Sequence, residues 1–282
     1  MKMSSCFGKC LCFCKTEDSD GKQKGKNVEK PVVIRGHDHP LLPHDQKERG
    51  STYECKGCQQ LGFGPYYSCI NCNVHYHKHC GDLLRPDISS AASAVRKRPP
   101  YPTGYLVLKE KAPSRAPRCC VACGDRVLGL RYKVRRRSSN PFRLLSRHLN
   151  NRAFHPLCAS LPKQIKANGQ QEIVLELEKK IRGECLICKD KARGWAYNST
   201  CGLCCYHVGC VKRKIIQSWQ EEEAPGKRGK KKNGTIIYVK RAGRVTLEIA
   251  KWAFLQIIQA LFWFPAPMVE DLIAKLFDFI FE

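Results

Sequence analysis

The chain runs to 282 residues and carries 50 lysines and arginines against 25 acidic residues, a formal net charge of +25. That length would hold two ordinary domains, but 27% charged residues exclude two large apolar cores and, with 19 cysteines, point to small units pinned by metal. The charge favours phosphate-rich partners such as RNA, DNA or anionic lipid headgroups.

Met1 to Lys30 has no run of seven or more apolar residues, so no secretory signal is expected. The protein is expected inside the cell, cytoplasmic or nuclear, where thiols stay reduced and cysteine spacing reads as metal binding rather than as a disulfide framework. Residues 1–35 read as a disordered tail, with Glu17 to Lys30 polar and without periodicity. Cys6, Cys10, Cys12 and Cys14 lie beside Lys2, Lys9 and Lys15. They are either S-acylation sites that tether the chain to a membrane or incidental cysteines of the tail, the simpler reading.

Residues 36–90 form a first unit. Cys55-x-x-Cys58 and Cys69-x-x-Cys72 are knuckles that put paired thiolates on tight turns at tetrahedral ligand distance, and His77-x-x-Cys80 adds an imidazole and a further thiolate. Residues 91–102 read as a linker containing Arg96-Lys97-Arg98. A second unit, 103–165, opens with the apparent strand Tyr105 to Leu108, carries Cys120-x-x-Cys123 with Cys119 as an alternative ligand, and closes with His155-x-x-Cys158. From Tyr132 to Arg152 it is basic and lacks a second knuckle. A third unit, 170–220, begins with the strand-like Ile173 to Glu178 and carries Cys185-x-x-Cys188 and His207-x-x-Cys210. Its Cys201, Cys204 and Cys205 are read as partial ligands or buried thiols.

The units repeat one pattern. Glycine stands six residues after the knuckle in each (Gly64, Gly129, Gly194) and tyrosine nine residues after it (Tyr67, Tyr132, Tyr197). The second cysteine of the knuckle precedes the histidine by 19 residues in the first and third units and by 32 in the second, an insertion of 13. One small supersecondary unit, repeated, accounts for this. The glycine answers a turn or a close backbone approach, and the tyrosine enters the next strand.

Ligand order does not fit a RING or a PHD finger. A histidine instead stands upstream, in Gly36-His37-Asp38-His39-Pro40-Leu41. With Tyr53 to Cys58, Leu61 to Gly64, Phe154 to Pro162 and Gly194 to Tyr197, residues 36 to 219 resemble the divergent, plant-type Cys/His-rich form of the phorbol-ester/diacylglycerol ("C-one") zinc domain. The resemblance implies a cross-brace in which Cys55, Cys58, His77 and Cys80 share one zinc. His39, Cys69 and Cys72 share another, whose final ligand falls near Ser89 or Ser90, where no good donor stands. Asp87, His37 or a water would complete it; decay of a structural site is the expectation, over an open catalytic position. The parent fold binds diacylglycerol between apolar loop tips, and Leu61, Phe63, Pro65 and Tyr66 offer such a surface.

Residues 221–244 read as a basic loop around Lys227 to Lys232, and 245–282 as a hydrophobic helical tail. Trp252 to Phe264 is an apolar stretch of 13 residues, too short to span a bilayer. Helical spacing returns at Val269, Leu272, Ile273, Leu276 and Ile280, so two helices broken at Pro265 and Pro267 are expected, packed on each other or on a partner.

The fold expected is a tandem of small, irregular zinc-stabilised β-rich (α+β) modules with a helical C-terminal tail, holding three to four Zn2+. Its function is expected to be that of a non-catalytic adaptor in intracellular signal transduction, with a protein partner and with anionic lipid or nucleic acid as further ligands of the basic segments. Aromatics that would stack bases are scarce there. The rival reading is an enzyme, either a ubiquitin-ligase-like protein or a thiol oxidoreductase using Cys185 and Cys188. The first lacks the ligand order, and the second lacks a following helix to lower its thiol pKa.

Overall fold

The computed structural model describes residues 30–45, 52–87, 95–97, 104–113, 118–136, 152–166, 173–191, 194–202, 204–223 and 243–263. The four N-terminal cysteines, the basic loop at 227–232 and the second tail helix lie outside them. Each unit is built on a small antiparallel sheet, as the β-rich reading requires. In the first, β1 (Leu42–His44), β4 (Tyr66–Cys69) and β5 (Val74–His77) pair in the order β1-β4-β5, with a short ribbon of β2 (Tyr53–Glu54) and β3 (Leu61–Gly62) carrying the knuckle. Helix α1 (Lys78–Leu84) starts directly after the metal-ligating His77.

The second unit repeats this plan with a four-stranded sheet, β11-β10-β7-β6: β6 (Val95–Lys97), β7 (Gly104–Lys109), β10 (Arg131–Arg136) and β11 (Ala153–Phe154). Its ribbon is β8 (Arg118–Cys119) with β9 (Arg126–Val127), and its short helix is α2 (Pro156–Ser160). The third sheet runs β12-β13-β14-β15, from Gln164–Lys166, Val174–Glu178, Ala196–Ser199 and Cys205–His207, and continues into α3 (Val208–Glu223). The repeated tyrosines sit inside β4, β10 and β14, where all three are fully buried.

Three boundaries differ from the sequence reading. Val32 pairs with Leu41 and Ile34 is buried, so the end of the supposed tail belongs to the first unit. Val95–Lys97, read as linker, pairs with β7 as an edge strand. Gln164–Lys166, read as the end of the second unit and the start of the segment beyond it, hydrogen-bonds to β13 of the third. In each case the pairing partner lies in another segment of chain, and no local pattern announces it.

The units are not independent beads, because one contiguous buried cluster runs through all three. The second unit docks on the first knuckle through Leu130, whose amide donates to the Gly57 carbonyl at 2.7 Å. The third docks on the second knuckle in the same way, with the Trp195 amide 3.3 Å from the Ala122 carbonyl. At the first of these junctions the repeated glycine makes the approach possible: a Cβ on Gly129 would fall 2.2 Å from the Gly57 oxygen, whereas one on Gly194 would stand 3.9 Å from the Ala122 oxygen.

Helix α4 (Gly243–Phe262) closes the arrangement. Its buried face, Ala250, Ala253, Phe254, Ile257, Ile258 and Leu261, follows helical spacing. It meets the third unit where the Tyr206 hydroxyl donates to the Ala250 carbonyl at 3.1 Å, and it meets the first where Phe262 packs on Phe63. The first tail helix is therefore an internal element. Among the described residues no helix is long and apolar enough to cross a membrane.

Because the Gly129 position has no room for a methyl group, Gly129→Ala must push the first two units apart. It is expected to lower stability by about 2 kcal/mol, read as a lower thermal midpoint.

Candidate metal centres

The knuckles Cys55-x-x-Cys58, Cys120-x-x-Cys123 and Cys185-x-x-Cys188 are each held by the same three backbone bonds. The residue after its second cysteine takes a left-handed conformation (Gln59 φ 57°, Gly124 φ 81°, Lys189 φ 59°) and donates back to the first cysteine's carbonyl at 2.8, 2.9 and 2.8 Å. The first cysteine's amide is bonded in turn to Gln60, Asp125 or Asp190. Between the cysteines, Lys56, Val121 and Leu186 donate to His75, Ala153 and Cys205, on the strand leading to the histidine. That histidine ends the strand or stands just beyond it, and the next cysteine falls three residues on, in the first helical turn and on the same face.

Four clusters result: Cys55, Cys58, His77 and Cys80; His37, His39, Cys69 and Cys72; Cys120, Cys123, His155 and Cys158; and Cys185, Cys188, His207 and Cys210. In each, the donor atoms all lie within 4.8 Å of one another. The histidines of the three Cys3His sets face their cysteines through Nδ1, at 3.3 and 3.8 Å in the first, 3.4 and 3.9 Å in the second, and 3.4 and 3.8 Å in the third. With Zn–S near 2.3 Å and Zn–N near 2.0 Å, a tetrahedral edge is about 3.6 Å. The donor type, number and spacing therefore fit zinc. His155 Nε2 donates to the Arg126 carbonyl at 2.9 Å, which fixes the tautomer that presents Nδ1.

His37 settles the incomplete site. It joins His39, whose Nδ1 is 3.1 Å from Cys72 Sγ, so the expected decay is corrected to a set of four donors, Cys69 and Cys72 of the knuckle with two histidines from upstream. Asp87 is engaged by Arg85 at 2.6 Å instead. This cluster is the more open one, since Cys72 is exposed. With two neutral imidazoles and two thiolates it would be electroneutral around Zn2+, whereas each Cys3His set would keep one net negative charge.

Cys119 is exposed and belongs to none of the clusters. Cys204 and Cys205 are buried thiols, both pushed up by burial, Cys204 to about 12. Cys201 is exposed and donates to Ser199 Oγ at 3.3 Å. The third unit thus keeps remnants of a second knuckle without a metal cluster among the described residues. The apolar loop surface expected at Leu61 to Tyr66 is also corrected. Phe63 is fully buried, stacked on Trp219 at 4.3 Å and against Phe262 at 4.6 Å, and Tyr66 stacks on His44.

Without metal, each Cys3His set shares its protons unequally. Burial resists ionisation of Cys55, but hydrogen bonds from Cys58 and Cys80 and the charge of His77 hold it well below the usual thiol range. Cys80, which donates to both of those sulfurs and is buried, is pushed far up. The third set divides likewise: a hydrogen bond from Cys210, against the opposing effect of burial, brings Cys185 down to about 4, while Cys210 rises. One thiolate solvated by neighbouring thiols is the best such a set achieves alone. A divalent cation displaces the remaining protons and lets all three sulfurs ionise.

Comparison with protein-family models, curated proteins and solved structures gives no significant match. The fold and the four clusters nevertheless define a class, a tandem Cys/His-rich protein whose small units each bring together side chains that could hold a metal ion.

Two outcomes follow. Zinc loading must release thiol protons, so metal-linked stability is present at neutral and alkaline pH and is lost as pH falls. Acid titration of the zinc-loaded protein, followed by circular dichroism and a zinc dye, is expected to show metal release and unfolding together. Substitution of His37→Ala is expected to reduce zinc content from four to three per chain, measured by elemental analysis, with the Cys3His sets retained.

Proposed function

We propose that the protein is a non-catalytic zinc-pinned scaffold acting as an intracellular adaptor, built from divergent modules of the phorbol-ester/diacylglycerol type. The observation that carries this reading is the completeness of the clusters. Each brings four side-chain donors together, the number that closes a tetrahedral structural site and leaves no position for substrate or activating water. The cross-brace spacing of the first unit, with His37 and His39 upstream of the two knuckles, supports the family resemblance. Burial of Phe63 beneath α4 argues for a partner other than diacylglycerol at that loop. The partner proposed is a protein, with the basic segments adding electrostatic attraction to it.

Zinc content of protein purified without added metal, with circular dichroism before and after a chelator, tests the scaffold. Four zincs and loss of structure on chelation support it; fewer than two, with the fold unchanged, would overturn it. In-cell cross-linking that recovers the same proteins with the wild type and with a Cys55→Ser, Cys58→Ser variant would remove the adaptor role from the zinc modules.

A further inference from the structure

Helix α3 leaves the third centre at His207 and lies across the second unit, where two consecutive basic residues reach metal ligands of two different centres. Lys212 is 7% exposed. Its ammonium donates to Asp125 Oδ2 at 2.7 Å and to Gln60 Oε1 at 2.6 Å, and lies 3.9 Å from the sulfur of Cys123, a ligand of the second centre. Arg213 donates to Asp125 Oδ1 at 3.0 Å and to the Cys123 carbonyl at 3.3 Å, while its other terminal nitrogen is 3.8 Å from Cys210 Sγ of the third centre. One carboxylate, one residue past the second knuckle's left-handed glycine, thus gathers a cation for each of two centres. The helix can come this close because Gly209 has no side chain: a Cβ there would stand 2.2 Å from the Cys123 oxygen.

A long, flexible, charged side chain is seldom buried without a partner that requires it. The second set is buried at all four ligands, and loaded with zinc it would hold a net negative charge away from water. Neither the second unit's ligands nor its knuckle supplies the compensating cation in these contacts; α3 of the next unit does. A donor to a zinc-bound sulfur lowers the charge on that sulfur and opposes its protonation, and such outer-sphere partners commonly change metal affinity 10- to 100-fold.

Resting on the zinc reading above, we propose that Lys212 and Arg213 are outer-sphere ligands supplied by the third unit, coupling metal retention at the second centre to the folding and loading of the third. His207 and Cys210 stand at the start of α3, so metal at the third centre fixes the helix end from which both cations project. By linkage the effect is reciprocal: metal at the second centre favours docking of α3 and therefore loading of the third. The chain then loses its second and third metals as a coupled pair.

The test is cysteine labelling of full-length, zinc-loaded protein across a chelator titration, with each cysteine read by mass spectrometry. The first centre serves as internal reference. For Lys212→Met, the midpoint for Cys120, Cys123 and Cys158 is expected to move to about ten-fold less chelator, while that for Cys55, Cys58 and Cys80 stays in place. Lys212→Arg should restore most of the shift. Gln60→Ala, which removes the lysine's bond to the first unit but keeps its charge at Cys123, should leave the second centre's midpoint unmoved. Arg213 is exposed, so Arg213→Met does not threaten the fold; it should weaken the third centre. Cys188→Ser, which opens the third centre, should weaken the second as well.

An unmoved second centre in Lys212→Met would overturn the proposal. So would equal shifts at the first and second centres, or a Gln60→Ala effect as large as that of Lys212→Met, since either marks loosened packing. Cysteines labelled at full rate before chelator is added would overturn the zinc reading itself, and this inference with it.

Discussion

Convergence of four side-chain donors at a spacing that fits one divalent cation is the constraint around which the rest of this chain is arranged. Each unit has only a few short strands and one helix, too little apolar surface to offset the entropy of ordering its loops. The thiols and imidazole that converge in each unit do not gain by meeting: buried together, they compete for protons and push one another's pKa values apart. A bound metal would turn that unfavourable assembly into a source of folding free energy, on the order of 10 kcal/mol for a structural zinc site. The backbone serves this purpose, through the left-handed residue after each knuckle and the bond from the knuckle to the histidine's strand.

Metal alone does not account for the whole molecule. The second unit lies with its glycine turn on the knuckle of the first, and the third lies likewise on the second, so one set of contacts is used twice. At the first unit the equivalent glycine meets α4, where a Cβ on Gly64 would come 2.6 Å from the Phe262 oxygen. The tail thus does for the first unit what a preceding knuckle does for the others. It also covers Phe63, which would otherwise be an exposed aromatic on a loop tip. Through α3 and α4 the third unit touches both of the others, and the buried cluster becomes continuous.

Much of this was legible in the chain itself. Cysteine and histidine spacing identified the three units and their candidate ligands, because tetrahedral coordination demands tight turns and a fixed step along a helix, both of them local; which ligands of the first unit belong to one set came from the family resemblance. The periodic glycine and tyrosine marked the docking turn and the central strand for the same reason. A length limit argued against a membrane span, and among the described residues no helix is long and apolar enough to cross a membrane. Less legible was the fourth donor of the open cluster: His37 stood in view beside His39, but the choice between it, Asp87 and a water depends on how the upstream segment folds over β4 and β5.

What the sequence determined by itself, then, is the local chemistry: which residues are ligands, how many units there are, and where each knuckle turns. What only the tertiary structure decided is everything joining residues distant in the chain. Gln164–Lys166 completes the third sheet although its first two residues read as the end of the second unit, Phe63 is stacked under Trp219, and Lys212 and Arg213 reach Asp125 and two ligand sets from one helix. In the sequence Lys212 and Arg213 are two among 50 basic residues, most naturally part of a solvated face. Burial beside Cys123 gives them their role, and burial is set by how whole units pack: a sum over many weak, non-local contacts that no spacing rule encodes.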